Sequence, residues 1–292
     1  MSKQKWENTL GRTLTLICAA ILLITAISIT YFIGSKGLAT FFKNDVSIGE
    51  FLTGTQWNPD GEPGKFGAFP FIFGSFVVTF LAVAIAAPLS IGAAIYMTEI
   101  KPRFGKKVLK PVIELLVGIP SVVYGFIGLS VLVPFIRNTF DDTMGFSILA
   151  GGIVLSVMII PTITSLAADA LEAVPQDLRN ASLALGATRW QTIWRVVLRT
   201  ALPGILTAMV LGMSRAFGEA LAVQMVIGNT TALPTSILDP TNTLTSGITA
   251  NMGNTIAGTV ANNALWSMSL LLLIMSFVFI LLIRLIGKKK VM

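Results

Sequence analysis

The chain has 292 residues, of which 54% are hydrophobic and only 12% charged. Soluble domains usually carry about a quarter charged residues, so this composition excludes an ordinary water-soluble globule and points to lipid. The net charge of +7 does not argue for nucleic acid, because Lys and Arg stand in short clusters between long apolar runs.

A basic tail with Lys3, Lys5 and Arg12 leads into a first apolar run over residues 14–33. A cleaved signal peptide has the same order. This run is longer than a typical signal core and no small-x-small site follows it, so it is read as a span. Cys18 lies inside it. One cysteine allows no internal disulfide, and with no histidine there is no Cys/His zinc site, so Cys18 is expected to be a small buried hydrophobe. Residues 34–68 are polar and rich in Gly, Pro and Asn, and read as an outer cap.

A membrane-crossing helix needs about 20 mainly apolar residues. Five more runs meet that length, over residues 69–97, 111–136, 146–166, 202–227 and 265–286. All are expected to be helices, since lipid offers backbone groups no partners. Pro88, Pro120 and Pro161 lie inside spans and predict kinks rather than breaks. The fold class is therefore an all-α polytopic bundle of about six helices. Residues 1–68 form the tail, first span and outer loop, and residues 69–292 the main transmembrane domain.

Orientation follows from the basic residues. The tail, the loop with Lys101, Arg103, Lys106, Lys107 and Lys110, the loop with Arg179, Arg189, Arg195 and Arg199, and the C-terminal end with Arg284, Lys288, Lys289 and Lys290 share one side. Lys36, Lys43, Lys65 and Arg137 share the other. Sixteen against four places both termini in the cytoplasm of a multi-pass cell-membrane protein.

The loop over residues 167–201 is long and patterned as two short helices. Pro175 suits the first turn of the first, and Gly186 its C-terminal stop. Thr188 with Gln191 three residues on is a capping-box pattern. The second helix is expected to run to about Thr200, before Pro203, with Trp190, Ile193, Trp194 and Val197 near one face. Such a segment either lies on anionic lipid or docks into a partner protein, and the physics alone leaves both open.

The run NASLALGATRWQTIWRVVLR, residues 180–199, resembles the cytoplasmic loop signature of ABC importer permeases. Gly186 matches its glycine, Ala181 and Ser182 its small positions, and Val196 and Leu198 its apolar ones. Asn180 stands where Glu is usual and Arg199 where Pro is usual. The resemblance implies a coupling helix that sits in a cleft of an ATPase subunit, carried by Asn180, Ala181, Ser182, Gly186, Ala187, Thr188 and Trp190. The chain has no phosphate cradle of its own. Gly105-Lys106-Lys107 and Gly287-Lys288-Lys289 lack the Ser or Thr that follows Lys in a P-loop. No cofactor is expected on this chain, and the resemblance places ATP and Mg on the partner ATPase.

The fifth span carries Arg215 and Glu219, four residues apart. A mid-membrane ionisable residue costs roughly 2.5–3.5 kcal/mol on insertion scales, so two are not casual. Being four apart, they are expected to share a helix face. They either neutralise one another or line an aqueous pathway. Arg suits a tetrahedral oxyanion, because its planar fork makes two parallel hydrogen bonds, and a nearby Glu would moderate that grip. Gly212, Ser214 and Gly218 read as close-packing positions. Glu114, four residues after Lys110, reads as snorkelling to the interface. Ser121 and Tyr124, beside Pro120, either line a path or bond to a neighbouring helix.

Residues 119–129 (IPSVVYGFIGL), 215–219 (RAFGE) and 226–230 (VIGNT) look like the PstC-type phosphate permease subunit, over about residues 66–230. The resemblance implies a MetI-like transmembrane fold and a substrate pathway including Arg215, Glu219, Ser121 and Tyr124. It also implies a heterodimer with a sister permease of PstA type, two ATPase subunits of PstB type, and an external phosphate-binding protein of PstS type. A permease for sulfate or molybdate is the nearest rival. An ion-driven anion carrier or channel, without an ATPase, is the rival from another class. No histidine, HExxH or Gly-x-Ser-x-Gly pattern supports an embedded enzyme.

Overall fold

The order of elements alternates long apolar helices with short polar connections. In the computed structural model, which describes residues 3–140 and 144–288, the first helix is α1 (Lys3–Gly37). Lys289 and Lys290 of the C-terminal basic cluster lie outside the described residues. A cap follows, made of α2 (Ala39–Lys43), α3 (Ile48–Thr53) and the antiparallel pair β1 (Trp57–Asn58) and β2 (Lys65–Phe66), with Trp57 opposite Phe66. The next helix, α4 (Phe69–Ile95), runs on with one wider turn to Ile100. After α5 (Pro102–Phe104) come α6 (Lys110–Gly118), α7 (Ser121–Ile127) and α8 (Val133–Thr139), the last two forming one helical stretch, Ser121–Thr139.

The chain returns as α9 (Ile148–Glu172), then α10 (Gln176–Ala184). Next come α11 (Arg189–Thr192) and α12 (Leu198–Phe217), which are continuous over Arg189–Phe217. Short helices α13 (Leu221–Gln224) and α14 (Leu244–Met252) precede α15 (Val260–Lys288). Among the described residues six helices are long and apolar enough to cross a membrane. Apart from the short cap hairpin the architecture is an all-α polytopic bundle.

The centre of the bundle is α9. Its Leu155, Ile159, Ile163 and Leu171 are buried against Val78, Ala82 and Ala86 of α4 and against Ile205 and Ala208 of α12. In its most apolar window 67% of residues are buried, against none in that of α1. The first helix is thus peripheral, touching α15 through the edge-to-face pair Phe32–Trp266 and the bond from Ser267 Oγ to Gly37 O. This corrects the expectation for Cys18, which is exposed on this outer helix rather than buried. An apolar residue facing lipid needs no core.

The prolines divide. Helices α4, α9 and α12 run through Pro88, Pro161 and Pro203. At Pro120 the expected kink is a break. Ile119 adopts φ −71°, ψ 127° and Pro120 φ −58°, ψ 139°, both extended. Steric pressure from a proline ring pushes the residue before it out of the helical region, and Gly118 adds a weak helix former at the same spot. The Tyr124 hydroxyl donates to Leu116 O at 2.9 Å, bridging the break and satisfying a carbonyl at the end of α6. Tyr124 thus bonds within its own span, across the gap, and not to a neighbouring helix.

The long polar loop is shorter than expected, because α9 reaches Glu172 and the segment from Arg189 is already part of the fifth span. Pro175 occupies the N-cap of α10, one place before its first turn. Gly186 ends the motif with φ +82°, a left-handed geometry that glycine adopts without strain. Thr188 and Gln191 form the expected capping box. No separate second helix stops before Pro203. The ring there removes one N–H, and the carbonyl it orphans belongs to Arg199, an exposed residue where water can serve. Nor do the four apolar residues share a burial. Ile193 and Val197 are buried, whereas Trp190 and Trp194 stack on each other, 6.0 Å apart, on the exposed flank.

Candidate functional site

The fifth span was expected as one helix over residues 202–227, and it is instead interrupted. Helix α12 ends at Phe217 with Gly218 as its C-cap, and Ala220 (φ −112°, ψ −63°) opens α13. Close contacts fix where this happens. Across α12 and α9, an added Cβ on Gly204 would meet Ala170 Cβ at 2.6 Å and one on Gly212 would meet Ile163 Cγ1 at 2.5 Å, while Arg215 bonds Thr162. Extending that antiparallel register sets Gly218 opposite about residue 158, near the middle of Ile148–Glu172.

Helices α7 and α13 run parallel. A Cβ on Gly125 would meet Ala222 Cα at 2.9 Å, and one on Gly128 would meet Val226 Cγ1 at 2.8 Å. Extending this register backwards places Pro120 level with about residue 217. The two breaks, at Ile119–Pro120 and at 218–220, therefore lie side by side at mid-depth. Small residues permit that approach; of the close-packing positions read from the sequence, Gly212 does the same against Ile163 of α9.

Arg215 and Tyr124 border this double break. Arg215 is exposed on the surface of the single chain, and its Nη1 donates to Thr162 Oγ1 at 2.9 Å. Ser121 is half-buried and opens the helix that carries Tyr124. Glu219 is placed differently. It lies beyond the helix end, so it does not share a helical face with Arg215. Among the described residues the ion pairs are Lys106–Glu172 and Arg179–Glu99, so Arg215 and Glu219 do not neutralise one another. Glu219 Oε1 instead accepts from Ala222 N at 3.3 Å, capping α13, and its carbonyl accepts from Thr245 Oγ1 at 2.6 Å. It borders a void of about 10 Å³ together with Ser75, Thr79, Thr243 and Thr245, room for a single water.

A polar face on α9 escaped the sequence reading. Thr162, Ser165, Asp169 and Glu172 recur at three- and four-residue spacing, which puts them on one side of a helix. Ser165, Asp169 and Glu172 line a cavity of about 250 Å³ that also takes in Lys106, Lys110 and Glu114. The stripe runs from the double break to the loop end of the bundle, ten residues or roughly 15 Å. The spacing was a usable signal, hidden because the span was ended at residue 166. Glu114 is exposed at that cavity, a polar setting that suits a carboxylate as well as the interface does.

On the loop end, Asn180, Ala181, Gly186, Thr188 and Trp190 are exposed, while Ser182 and Ala187 are half-buried. Ser182 Oγ and Thr192 Oγ1 lie 2.9 Å apart, joining α10 to α11. Leu185, beside Gly186, is 89% exposed.

On the opposite end, the loop after α13 seals the start of α9. Ile148 N and Leu149 N donate to Asp239 O and Ile237 O, at 3.1 and 2.9 Å, and the Ser147 hydroxyl accepts from Ala150 N. The 226–230 motif adds one bond to this seal, from Ser147 N to Val226 O at 3.3 Å. Gly228 has φ +93°, and a Cβ there would meet Pro240 Cβ at 2.5 Å.

Residues 86–291 match the family described as the binding-protein-dependent transport system inner membrane component. The chain belongs to this family. It is the permease subunit of an ABC importer, a multi-pass membrane protein whose family members are transmembrane rather than catalytic subunits and work with an ATPase and a substrate-binding protein. The permease is 61% identical over 284 residues to a probable ABC transporter permease protein, YqgH, of Bacillus subtilis (strain 168), covering 97% of this chain and 92% of the relative. It is 33% identical over 307 residues to the phosphate transport system permease protein PstC of Haemophilus influenzae, covering 98% and 95%. Its fold is similar to that of a chain of a bacterial alginate ABC transporter, with a TM-score of 0.65 at 14% identity, covering 98% of this chain and 96% of the other.

Proposed function

We propose that this permease carries inorganic phosphate inward, as the PstC-type half of a heterodimeric pore. The observation that carries this reading is the placement of Arg215 at the double break, exposed, with Thr162 as its hydrogen-bond partner. An arginine facing bare lipid at that depth would cost roughly 2.5–3.5 kcal/mol. The exposed face is therefore covered by a sister permease of PstA type and opens on a watery path between the two. Interrupted helices at mid-depth are how many transporters build their solute sites, with half-helix N-termini favouring anions. Here the Ser121–Thr139 helix begins at the break that lies level with the end of the helix carrying Arg215. Two positive elements converge there, which suits a solute of two negative charges.

Below the break, the stripe Thr162, Ser165, Asp169 and Glu172 gives a hydrated way out. Its carboxylates disfavour rebinding of an anion that has left Arg215. The loop end faces the cytoplasm, as do both termini. Helix alternation collects Lys101, Arg103, Lys106, Lys107 and Lys110 with Arg179, Arg189, Arg195 and Arg199 at that end. There α10 and the Leu185–Gly186 turn enter clefts of ATPase subunits of PstB type, which bind ATP and Mg. A phosphate-binding protein of PstS type delivers solute at the opposite face.

Reconstitution tests this. The permease, its sister, the ATPase and candidate binding proteins are placed in liposomes, and uptake of labelled phosphate, sulfate and molybdate is measured in turn. ATP-dependent uptake of phosphate alone is expected. Uptake of sulfate or molybdate in its place overturns the phosphate reading, and uptake without the ATPase overturns the coupling.

A further inference from the structure

Helix α10 (Gln176–Ala184) buries no apolar side chain of its own, so apolar packing does little to fix it to the bundle. What holds it is polar. Arg179 Nη2 donates to Glu99 Oε1 at 2.7 Å and to Leu171 O at 2.9 Å, and Nη1 donates to Val174 O. The two charged side chains are only 13% and 11% exposed. Leu171 and Val174 belong to the C-terminal end of α9, where free carbonyls and the helix dipole favour a cation. Glu99 lies in the last turn of the helical stretch that continues α4 to Ile100. From the other side Arg189, the first residue of α11, donates to the carbonyls of Glu99 and Ile100.

One arginine fork thus ties α10 to two spans at once, and the fifth span grips the same turn. Helix α10 is otherwise joined by residues 173–175, the 185–188 turn, the Ser182–Thr192 hydrogen bond and its contact with the Ile193–Val197 turn. Short turns and a single hydroxyl pair bend readily. A buried, multiply bonded guanidinium does not, because its planar geometry fixes every acceptor at once. Helices α4 and α9 are also the pair whose facing side chains build the centre of the bundle.

We propose that the Glu99–Arg179 pair is the joint through which displacement of α10 moves α4 and α9 as one body, and so couples hydrolysis to opening of the path. The pair positions; it does not touch solute or nucleotide. The proposal rests on the docking of α10 to the ATPase given above.

The test uses the full complex in liposomes. Labels on Asp177→Cys and Lys101→Cys, both exposed, in a Cys18→Ser background, report the spacing of α10 from the end of the second span with and without trapped nucleotide. In the wild-type pairing the spacing is expected to stay constant. With Arg179→Lys, which keeps the charge and loses the fork, or Glu99→Gln, the spacing is expected to change with nucleotide. Labelled phosphate imported per ATP hydrolysed is expected to fall about tenfold, with ATPase binding retained. The double variant is expected to fall no further than either single one.

Constant spacing in both variants, or an unchanged import ratio with only a lower melting temperature, overturns the joint and leaves a merely structural pair. A label on Leu185→Cys separates the other failure. If its mobility does not drop when the ATPase is added, the docking of α10 is wrong and the joint falls with it.

Discussion

Arg215 Nη1 donates to Thr162 Oγ1 at 2.9 Å, joining the last turn of one helix to the middle of its antiparallel neighbour. The bond fixes a guanidinium at mid-depth while leaving it exposed on the chain surface. Arg215→Gln is therefore expected to abolish phosphate uptake in the reconstituted complex while assembly persists. Thr162→Val removes one partner of a charge-assisted bond, worth about 1.5–3 kcal/mol, and is expected to reduce uptake roughly tenfold. Normal uptake by Arg215→Gln removes the basis for an anion site here.

Tyr124 bridges the Ile119–Pro120 break through Leu116 O. Tyr124→Phe keeps the ring and leaves that carbonyl with only the longer bond from Ile119 N, at 3.3 Å. A loss of about 0.5–1.5 kcal/mol is expected, read as a lower melting temperature in detergent. No change in melting means that water replaces the hydroxyl at no cost.

Gly186 holds φ +82°, and a Cβ there meets nothing within 4 Å of this chain. A substitution is thus not blocked by packing within the subunit. The backbone penalty is roughly 1–2 kcal/mol. Gly186→Val is expected to leave the permease folded but to uncouple ATP hydrolysis from uptake, because it re-aims the turn that presents Leu185. Intact coupling in that variant places the ATPase contact elsewhere.

Asp239 Oδ2 accepts from Thr235 N at 2.7 Å, Thr235 Oγ1 at 2.8 Å and Ser236 N at 2.9 Å. The bonds from the Thr235 amide, the Thr235 hydroxyl and the Ser236 amide, in that order, hold this carboxyl below its ordinary range. A group whose folded value is depressed stabilises the fold fully above its unfolded value, near 3.9. That contribution is lost as pH falls through the lower folded value. The turn over 235–239, and with it the seal on α9, is expected to loosen only in acid. Hydrogen exchange at Thr235 and Ser236, compared with Asp239→Asn at each pH, reads this directly. Equal protection in both proteins throughout would show that the carboxylate is not the clamp.

The apolar runs alone determined the six crossings and the all-α class, because a span must satisfy its backbone within itself and bury its sides in lipid. The docking loop was legible for a local reason too. Pro175, Gly186, Thr188 and Gln191 act through their own backbone torsions and hydrogen bonds a few residues away, and three of the four stand at the cap positions read from the sequence. What hydropathy could not convey is where a span stops being a helix. Residues 202–227 and 111–136 are each apolar enough to read as one continuous span, yet both are broken, and the breaks coincide only because α7 pairs with α13 through Gly125 and Gly128. For the same reason Arg215 and Glu219, neighbours on an ideal helix, part company at Gly218. Partners such as Thr162 for Arg215 and Glu99 for Arg179 lie 53 and 80 residues away. Only the packing of distant helices selects them, since side-chain pairing across a bundle depends on register, which no single segment contains.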